Sequence, residues 1–316
     1  MPNHFCSAED CPDPTGWIRE ALILKETPHK DKLLGTNKTL GLIFFNASLR
    51  TRLSTTKAAQ NLGMETITFN VNKEGWQIET AQGVVMNGDP AEHITEAAAV
   101  MGGYCDILGV RAFPTLLDRK KDYSEKYLLG FQKYAGVPII NLESAALHPL
   151  QSFADLMTIE QHKKKKRPKV VMTWAPHIKA LPQAVPNSFS QWMQHYDADF
   201  HIAHPEGMEL DTQFIKNATL SYDQDEAFKE ADFIYVKNWS SYHNYGEPLK
   251  NQQEWMVTLE KLQRTHQAKL MHCLPVRRNV VIADNAMDSK HSIIQDQAYN
   301  RIFAAQLVLK KLLTKS

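Results

Sequence analysis

The sequence predicts an α/β protein of two domains, each built on a mainly parallel sheet flanked by helices. Three observations lead there: apolar strand-like runs alternate with amphipathic helical stretches, the alternation starts again after Pro149, and 316 residues suit two core-forming units. The first series places strands at 39–45, 66–71, 107–110 and 137–141, with helices at 52–62 and 91–100. The second places strands at 169–173, 199–202, 233–236 and 269–271, with a helix at 223–230. The boundary falls within 143–150, giving domains over 1–148 and 149–294. The amphipathic tail, 295–316, is expected to pack back on the first domain.

Two segments interrupt this rhythm. Lys163 to Arg167 form a basic run before Pro168, read as a solvated helix end because cations suit a helix C-terminus. The stretch 174–186, WAPHIKALPQAVP, holds three prolines and is expected to be a stiff loop throughout. No G-x-G-x-x-G follows an early strand, which argues against a dinucleotide-binding oxidoreductase.

Charge narrows the function further. The 36 Lys and Arg nearly cancel the 35 Asp and Glu, so no global field favours nucleic acid or an anionic membrane, and any anion site must be local. Four scattered cysteines, Cys6, Cys11, Cys105 and Cys273, fit neither a disulfide framework nor a repeated metal spacing. Cys6 and Cys11 with His4 lack a fourth zinc ligand, so no metal is expected. Acidic residues and prolines occupy the first 14 positions where a signal peptide needs basic then apolar ones, and no apolar run reaches spanning length. The expectation is a cytoplasmic protein.

The segment Phe44-Phe45-Asn46-Ala47-Ser48-Leu49-Arg50-Thr51-Arg52 leaves a strand and enters a helix. It reads equally as an anion site, with guanidinium groups at a helix N-terminus, or as a helix capped by Ser48 or Thr51 with solvated arginines. At Leu147-His148-Pro149-Leu150-Gln151 the proline suits a first helical position, placing His148 at a helix entrance with Gln151 one turn on; both could hydrogen-bond a polarised carbonyl. Arg111 follows the 107–110 strand, where strand ends face ligands in open α/β sheets. Met271-His272-Cys273-Leu274-Pro275 ends another strand. Here adjacent side chains point to opposite faces, so His272 is a poor base for Cys273 and a shaped loop is favoured over a nucleophile.

Taken together and in this order, the Ser-x-Arg-Thr-Arg, His-Pro-x-Gln and His-Cys-Leu-Pro segments resemble the aspartate and ornithine carbamoyltransferase superfamily over nearly the whole chain. Thr173-Trp174-Ala175-Pro176-His177 with its proline-rich continuation, and Lys237-Asn238-Trp239, resemble the branch acting on N-acylated ornithines, in which that loop is associated with a knotted chain.

The resemblance implies that Ser48, Leu49, Arg50 and Thr51 hold the phosphate of carbamoyl phosphate. Trp76 would reach a neighbouring subunit's site in a homotrimer. It also implies a catalytic set of Arg111, His148, Gln151, Cys273 and Arg301, with Cys273 and Leu274 lining the site. Glu143, His177, Lys237, Leu274 and Arg277 match positions contacting the acylated amino acid.

N-acetylornithine enzymes have a glutamate where Ala91 stands and a lysine where Val281 stands; N-succinylornithine enzymes have a proline at the former. A missing carboxylate at Ala91 leaves room for a succinyl carboxylate. The implied reaction, within arginine biosynthesis and without a cofactor, carries a carbamoyl group to the side-chain amine of N-succinyl-L-ornithine. N-acetyl-L-ornithine is the alternative substrate, and a non-catalytic carbamoyl phosphate sensor the alternative of another class.

Overall fold

The computed structural model describes residues 4–314; the first three residues and the last two, which the predicted domain and tail boundaries include, lie outside it. The chain divides into two compact units. One comprises the residues up to Thr115, Lys120–Leu150 and those from Arg301 onward; the other comprises Leu116–Arg119 and Gln151–Asn300.

In the first unit, helix α1 (Pro14–Glu26) opens with Pro at its first position and an Asp13 cap, whose side chain accepts from the Gly16 N–H. Strand β1 (Thr39–Phe44), helix α2 (Arg50–Asn61), strand β2 (Glu65–Asn70) and the short helix α3 (Val71–Glu74) follow. Next come β3 (Ile78–Glu79), β4 (Glu92–His93), α4 (Ile94–Gly103), β5 (Ile107–Arg111), α5 (Arg119–Tyr123), α6 (Lys126–Tyr134) and β6 (Ile139–Glu143).

The main sheet runs β2-β1-β5-β6, all parallel. Strands β5 and β6 are buried at every residue and β1 at all but one, so near-continuous apolar runs, rather than alternation, mark them in the sequence. Helices α4 and α6 approach so closely that a Cβ on Gly102 would lie 1.8 Å from the Ala135 carbonyl oxygen, which only glycine permits. The predicted helix at 91–100 starts late. Glu92 and His93 pair with β3, and the His93 ring accepts from the Thr95 N–H to cap α4.

The second unit takes most of α7 (Pro149–His162), then β7 (Lys169–Trp174), α8 (Ala184–Met193), β8 (Asp199–Ala203), β9 (Thr219–Ser221), α9 (Gln224–Phe228) and β10 (Phe233–Lys237). Helix α10 (Leu259–Gln263), β11 (Lys269–Met271), α11 (Asp284–Met287) and α12 (Ile294–Leu313) complete the chain. Its sheet runs β11-β10-β7-β8-β9, again all parallel. From Arg301 onward α12 belongs to the first unit, where Gln306 bonds Asn61 and Pro28 and Lys310 pairs with Asp31.

The proline-rich stretch is not loop throughout. Helix α8 begins at Ala184 and takes Pro186 into its first turn, where backbone N–H groups have no helical partner to lose. The basic run also lies past its helix rather than in it. Helix α7 ends at His162, and the cations pair locally, Lys163 with Glu160 and Lys165 with Asp232. Among the described residues no helix is long and apolar enough to cross a membrane.

Each sheet has one place where the chain reverses its direction of build. In the first unit the chain goes from β1 out to β2 and then to the other side at β5; in the second it goes from β7 through β8 to β9 and then back to β10. Ligands of open α/β sheets bind outside the strand C-termini at such points. Phe44 pairs with Arg111 at the first and Trp174 with Lys237 at the second, so both reversals lead straight into predicted site residues.

Candidate functional site

In the first unit, Arg111 closes β5 with its guanidinium buried. Its Nε and Nη2 donate to Glu143 Oε2 at 3.2 and 3.0 Å, and Nη1 donates to the carbonyls of Asn46 and Ala47 at 3.1 and 2.8 Å. The guanidinium also stacks on Phe113, 4.0 Å from the ring centre. The loop after β1 is thereby tied to the ends of β5 and β6, and the Asn46 side chain accepts the Phe113 N–H at 2.7 Å to complete the tie. Asn46 was passed over in the sequence because its role is to shape a loop rather than to supply charge.

That loop delivers Ser48, Leu49, Arg50 and Thr51 to the start of α2. Leu49 is the N-cap and no side chain caps the helix, so the reading in which Ser48 or Thr51 serves as a cap does not hold. The first backbone N–H groups keep their anion-attracting character. Thr51 is instead buried and accepts a hydrogen bond from Arg301 Nη2 at 2.7 Å. Arg50 is half-buried, forms no ion pair among the described residues, and its Nε has no hydrogen-bond partner. Arg52, by contrast, is occupied by Asn70 and the Phe44 ring.

His148 precedes α7 and is buried, with Arg301 and Arg111 near it. Burial first, then those two guanidinium charges, hold its pKa well below the ordinary 6.5. Its ring is therefore neutral, and the 3.7 Å approach to Glu143 Oε2 is not an ion pair. Its Nδ1 is buried without a hydrogen-bond partner, an uncommon condition that calls for an explanation.

This protonation state carries a stability consequence. The unfolded imidazole titrates near 6.5 and the folded one lower, so below that pH the unfolded chain binds more protons. The contribution is complete above 6.5 and declines as pH falls toward the folded value. Thermal unfolding between pH 8 and 5 should show a steeper acid loss for the wild type than for His148→Gln; parallel curves would refute a buried neutral His148.

Two other first-unit residues flank β3 and β4. Trp76 is exposed, its indole N–H donating to Glu92 at 2.8 Å, and Ala91 is exposed with its N–H bonded to the Gln77 carbonyl.

In the second unit, Lys237 ends β10 as a buried ammonium that donates to the Asn238 carbonyl at 2.9 Å. His177, in the loop after β7, accepts from Arg277 Nε at its Nε2, 3.2 Å away, while its Nδ1 lies 2.9 Å from the Lys179 carbonyl oxygen and 3.1 Å from the Lys179 N–H. Burial, then Lys237, Arg277 and Lys179, lower its pKa against the opposing pull of that carbonyl. Lys237 and Arg277 thus set positive charge around a neutral His177 ring. Val281 lies in the core of this unit.

Gln151 donates to Asp155 Oδ1 at 2.8 Å. Cys273 is buried beside Tyr235, and Leu274 adopts a left-handed backbone with φ 55°, its N–H bonded to His272 Nδ1. A non-glycine residue in that region stores roughly 1–3 kcal/mol, which points to a shaped loop. Asp155 and Gln297 escaped the sequence reading; an acid four residues beyond Gln151 on one helix was the available signal for the first, and none existed for the second.

Comparisons with known proteins agree with this geometry. Residues 3–161 match the aspartate/ornithine carbamoyltransferase carbamoyl-P binding domain, and residues 182–312 match the Asp/Orn binding domain of the same family. The N-succinylornithine carbamoyltransferase of Bacteroides thetaiotaomicron is 52% identical over 311 residues, covering 98% of each chain. The N-acetylornithine carbamoyltransferase of Xanthomonas campestris is 34% identical, covering 99% of this chain and 98% of its own. A crystal structure of an N-acetyl-L-ornithine transcarbamylase variant complexed with carbamyl phosphate and N-succinyl-L-norvaline superposes with a TM-score of 0.93 at 33% identity, covering 98% of this chain and 100% of that one. Two family domains, matched in order over most of the chain, place this protein in the aspartate/ornithine carbamoyltransferase family.

Proposed function

We propose that the chain transfers the carbamoyl group of carbamoyl phosphate to the side-chain amine of N-succinyl-L-ornithine, giving N-succinyl-L-citrulline and phosphate. The observation that carries this is the first-unit cluster, in which an unpaired Arg50 at an uncapped helix start adjoins a chain of contacts through Thr51 and Arg301 to neutral His148 and Arg111. The former group suits a phosphate and the latter a carbonyl oxygen that gains charge.

The neutral amine attacks the carbamoyl carbon, a C–N bond forms, and the oxygen becomes an oxyanion. Arg111 has four of its five N–H donors committed to protein and one Nη2 N–H left for that oxygen, with His148 as a second donor. The C–O bond to phosphorus then breaks, phosphate leaves toward Arg50, and it takes up the proton the amine sheds. We assign carbamoyl phosphate to the first unit and the acylated amino acid to the second, where His177, Lys237 and Arg277 suit its carboxylates. Exposed Leu49, Leu53 and Trp76 on the first unit support a trimer in which Trp76 completes a neighbouring site.

The succinyl assignment rests on Ala91, whose exposed methyl group adds no charge against a second carboxylate. With ornithine, N-acetylornithine and N-succinylornithine offered at equal concentration, the wild type should carbamoylate chiefly the last. Ala91→Glu should cut its kcat/KM for N-succinylornithine by about 10–100-fold, since like charges brought together cost several kcal/mol. A wild-type preference for N-acetylornithine would overturn the acyl assignment alone. Absence of turnover with all three would overturn the catalytic reading in favour of a carbamoyl phosphate sensor.

A further inference from the structure

The basic run 163–167 reads in the sequence as a solvated helix end, yet in the fold two of its lysines enter the wall of a cavity in the second unit. The cavity, about 210 Å³, lies at the N-terminal ends of β10 and β11, where Phe233 and Lys269 line it. This is the end of the sheet away from its switch point. From Phe233 to Lys237, at the other end of β10, is roughly 13 Å at about 3.3 Å per residue. An occupant of the cavity would therefore not reach the residues assigned to the acylated amino acid. Four ammonium groups, of Lys164, Lys165, Lys269 and Lys290, face one carboxylate, Asp232. Asp232 is already engaged, with Lys165 Nζ 2.9 Å from its Oδ1 and the Lys169 N–H donating to its Oδ2 at 2.9 Å. The ammonium groups of Lys164, Lys269 and Lys290 have no ion pair or hydrogen bond among the described residues. Lys269 is half-buried and rooted in the sheet, since it opens β11 and its N–H donates to the Asp232 carbonyl at 2.9 Å.

A chain whose formal net charge is +1 thus gathers positive charge in one concavity, where low-dielectric walls focus the field. Ammonium groups held together repel one another, and a multiply charged anion relieves that repulsion. The lining also selects the kind of anion. No arginine is among the described residues that form it, so the planar fork that pairs with a carboxylate is missing, whereas compact ammonium charges suit the dense charge of phosphate oxygens. At about 30 Å³ for each water molecule it could hold, the volume takes a diphosphate but not a nucleoside with it. We propose that this cavity is a binding site for a diphosphate group, separate from the carbamoyl phosphate site and independent of the reaction proposed above. The group enters either as inorganic diphosphate or as the charged end of a larger molecule whose remainder stays outside.

Calorimetric titration with inorganic diphosphate at constant ionic strength tests this. Arg50→Ala, which removes the other proposed anion site, should bind diphosphate in the cavity within about twofold of the wild-type affinity, because the two sites are separate. Lys269→Met combined with Lys290→Met should weaken that binding by about tenfold or more, as loss of two hydrogen bonds to a charged group does. Its thermal midpoint should stay at or above that of the wild type, since like charges have been removed. If the double variant does not fold, Lys164→Met, at an exposed loop position, should weaken binding by about threefold or more. A second readout uses the unaltered wall. In ¹⁵N-histidine protein, the ring signal of His266, identified as the one lost in His266→Gln, should shift when diphosphate is added to the wild type, because His266 lines the cavity. ADP, titrated in parallel, separates the sources: weaker binding than diphosphate identifies the free anion, and equal or tighter binding identifies a diphosphate carried on a larger molecule. Loss of all diphosphate binding in Arg50→Ala, unchanged affinity in the lysine variants, or an unmoved His266 signal would overturn the proposal.

Discussion

Replacing Arg50 with alanine is expected to lower kcat/KM for carbamoyl phosphate by about 10²–10³-fold while leaving the thermal midpoint close to that of the wild type. The two halves of this expectation have separate causes. Arg50 is half-buried, has no ion pair among the described residues and an Nε without a hydrogen-bond partner, so its removal breaks little in the folded chain. A phosphate at the start of α2 would lose a planar, two-pronged donor that no neighbouring side chain can replace, since Arg52 is held by Asn70 and Phe44. Arg111 would be a poorer choice. Removing it would take the guanidinium away from the buried Glu143 carboxylate, and breaking a buried pair typically costs about 3–5 kcal/mol, so lost activity could not be told from lost folding. Steady-state kinetics with carbamoyl phosphate varied, beside a thermal melt, decides the matter. An unchanged kcat/KM would remove Arg50, and with it the anion reading of the loop after β1.

Lys237→Met is expected to change stability and function in opposite directions. The Lys237 ammonium is buried with one carbonyl acceptor, and the Arg277 guanidinium adds positive charge near it. Methionine of similar length removes a costly desolvated charge, so the ligand-free protein should melt at the same temperature as wild type or higher. The KM for N-succinylornithine should nevertheless rise by about 30-fold or more, because a substrate carboxylate would lose a partner in a site of low polarity. KM for carbamoyl phosphate should hold within about threefold, since that substrate is assigned to the first unit. A variant that melts lower and binds the amino acid normally would make Lys237 a structural residue. Lys237→Arg need not rescue binding, because a larger, planar cation fits a pocket shaped for an ammonium poorly.

Much of the architecture could be read from local pattern. Strands β1, β5, β6, β7 and β10 stand out as apolar runs because parallel sheets covered on both faces need no alternation. The prolines misled at α8, since a first-turn proline such as Pro186 loses no hydrogen bond and leaves no mark distinguishing helix from loop. Residues 91–93 read as part of α4 because His93 caps it through a ring nitrogen that accepts the Thr95 N–H, an unusual acceptor for that position. Among the proposed site residues, Arg111 and Lys237 close strands at the switch points, Arg50 begins α2 and His148 precedes α7, so motif and local order mark the same positions.

The sequence by itself determined which segments form the two parallel sheets and which motifs resemble those of carbamoyl transfer. These follow from hydrophobic period, turn chemistry and the order of short motifs along the chain. Only the tertiary structure decided that His148 is neutral, that Thr51 serves Arg301 rather than capping α2, and which end of the Gln151 amide is held. Each of these depends on desolvation or on a partner far away in sequence: Arg301 lies 250 residues from Thr51 and Gln297 lies 142 from Asp155. Protonation and amide orientation are set by the field and the acceptors that folding assembles, and no local spacing encodes those.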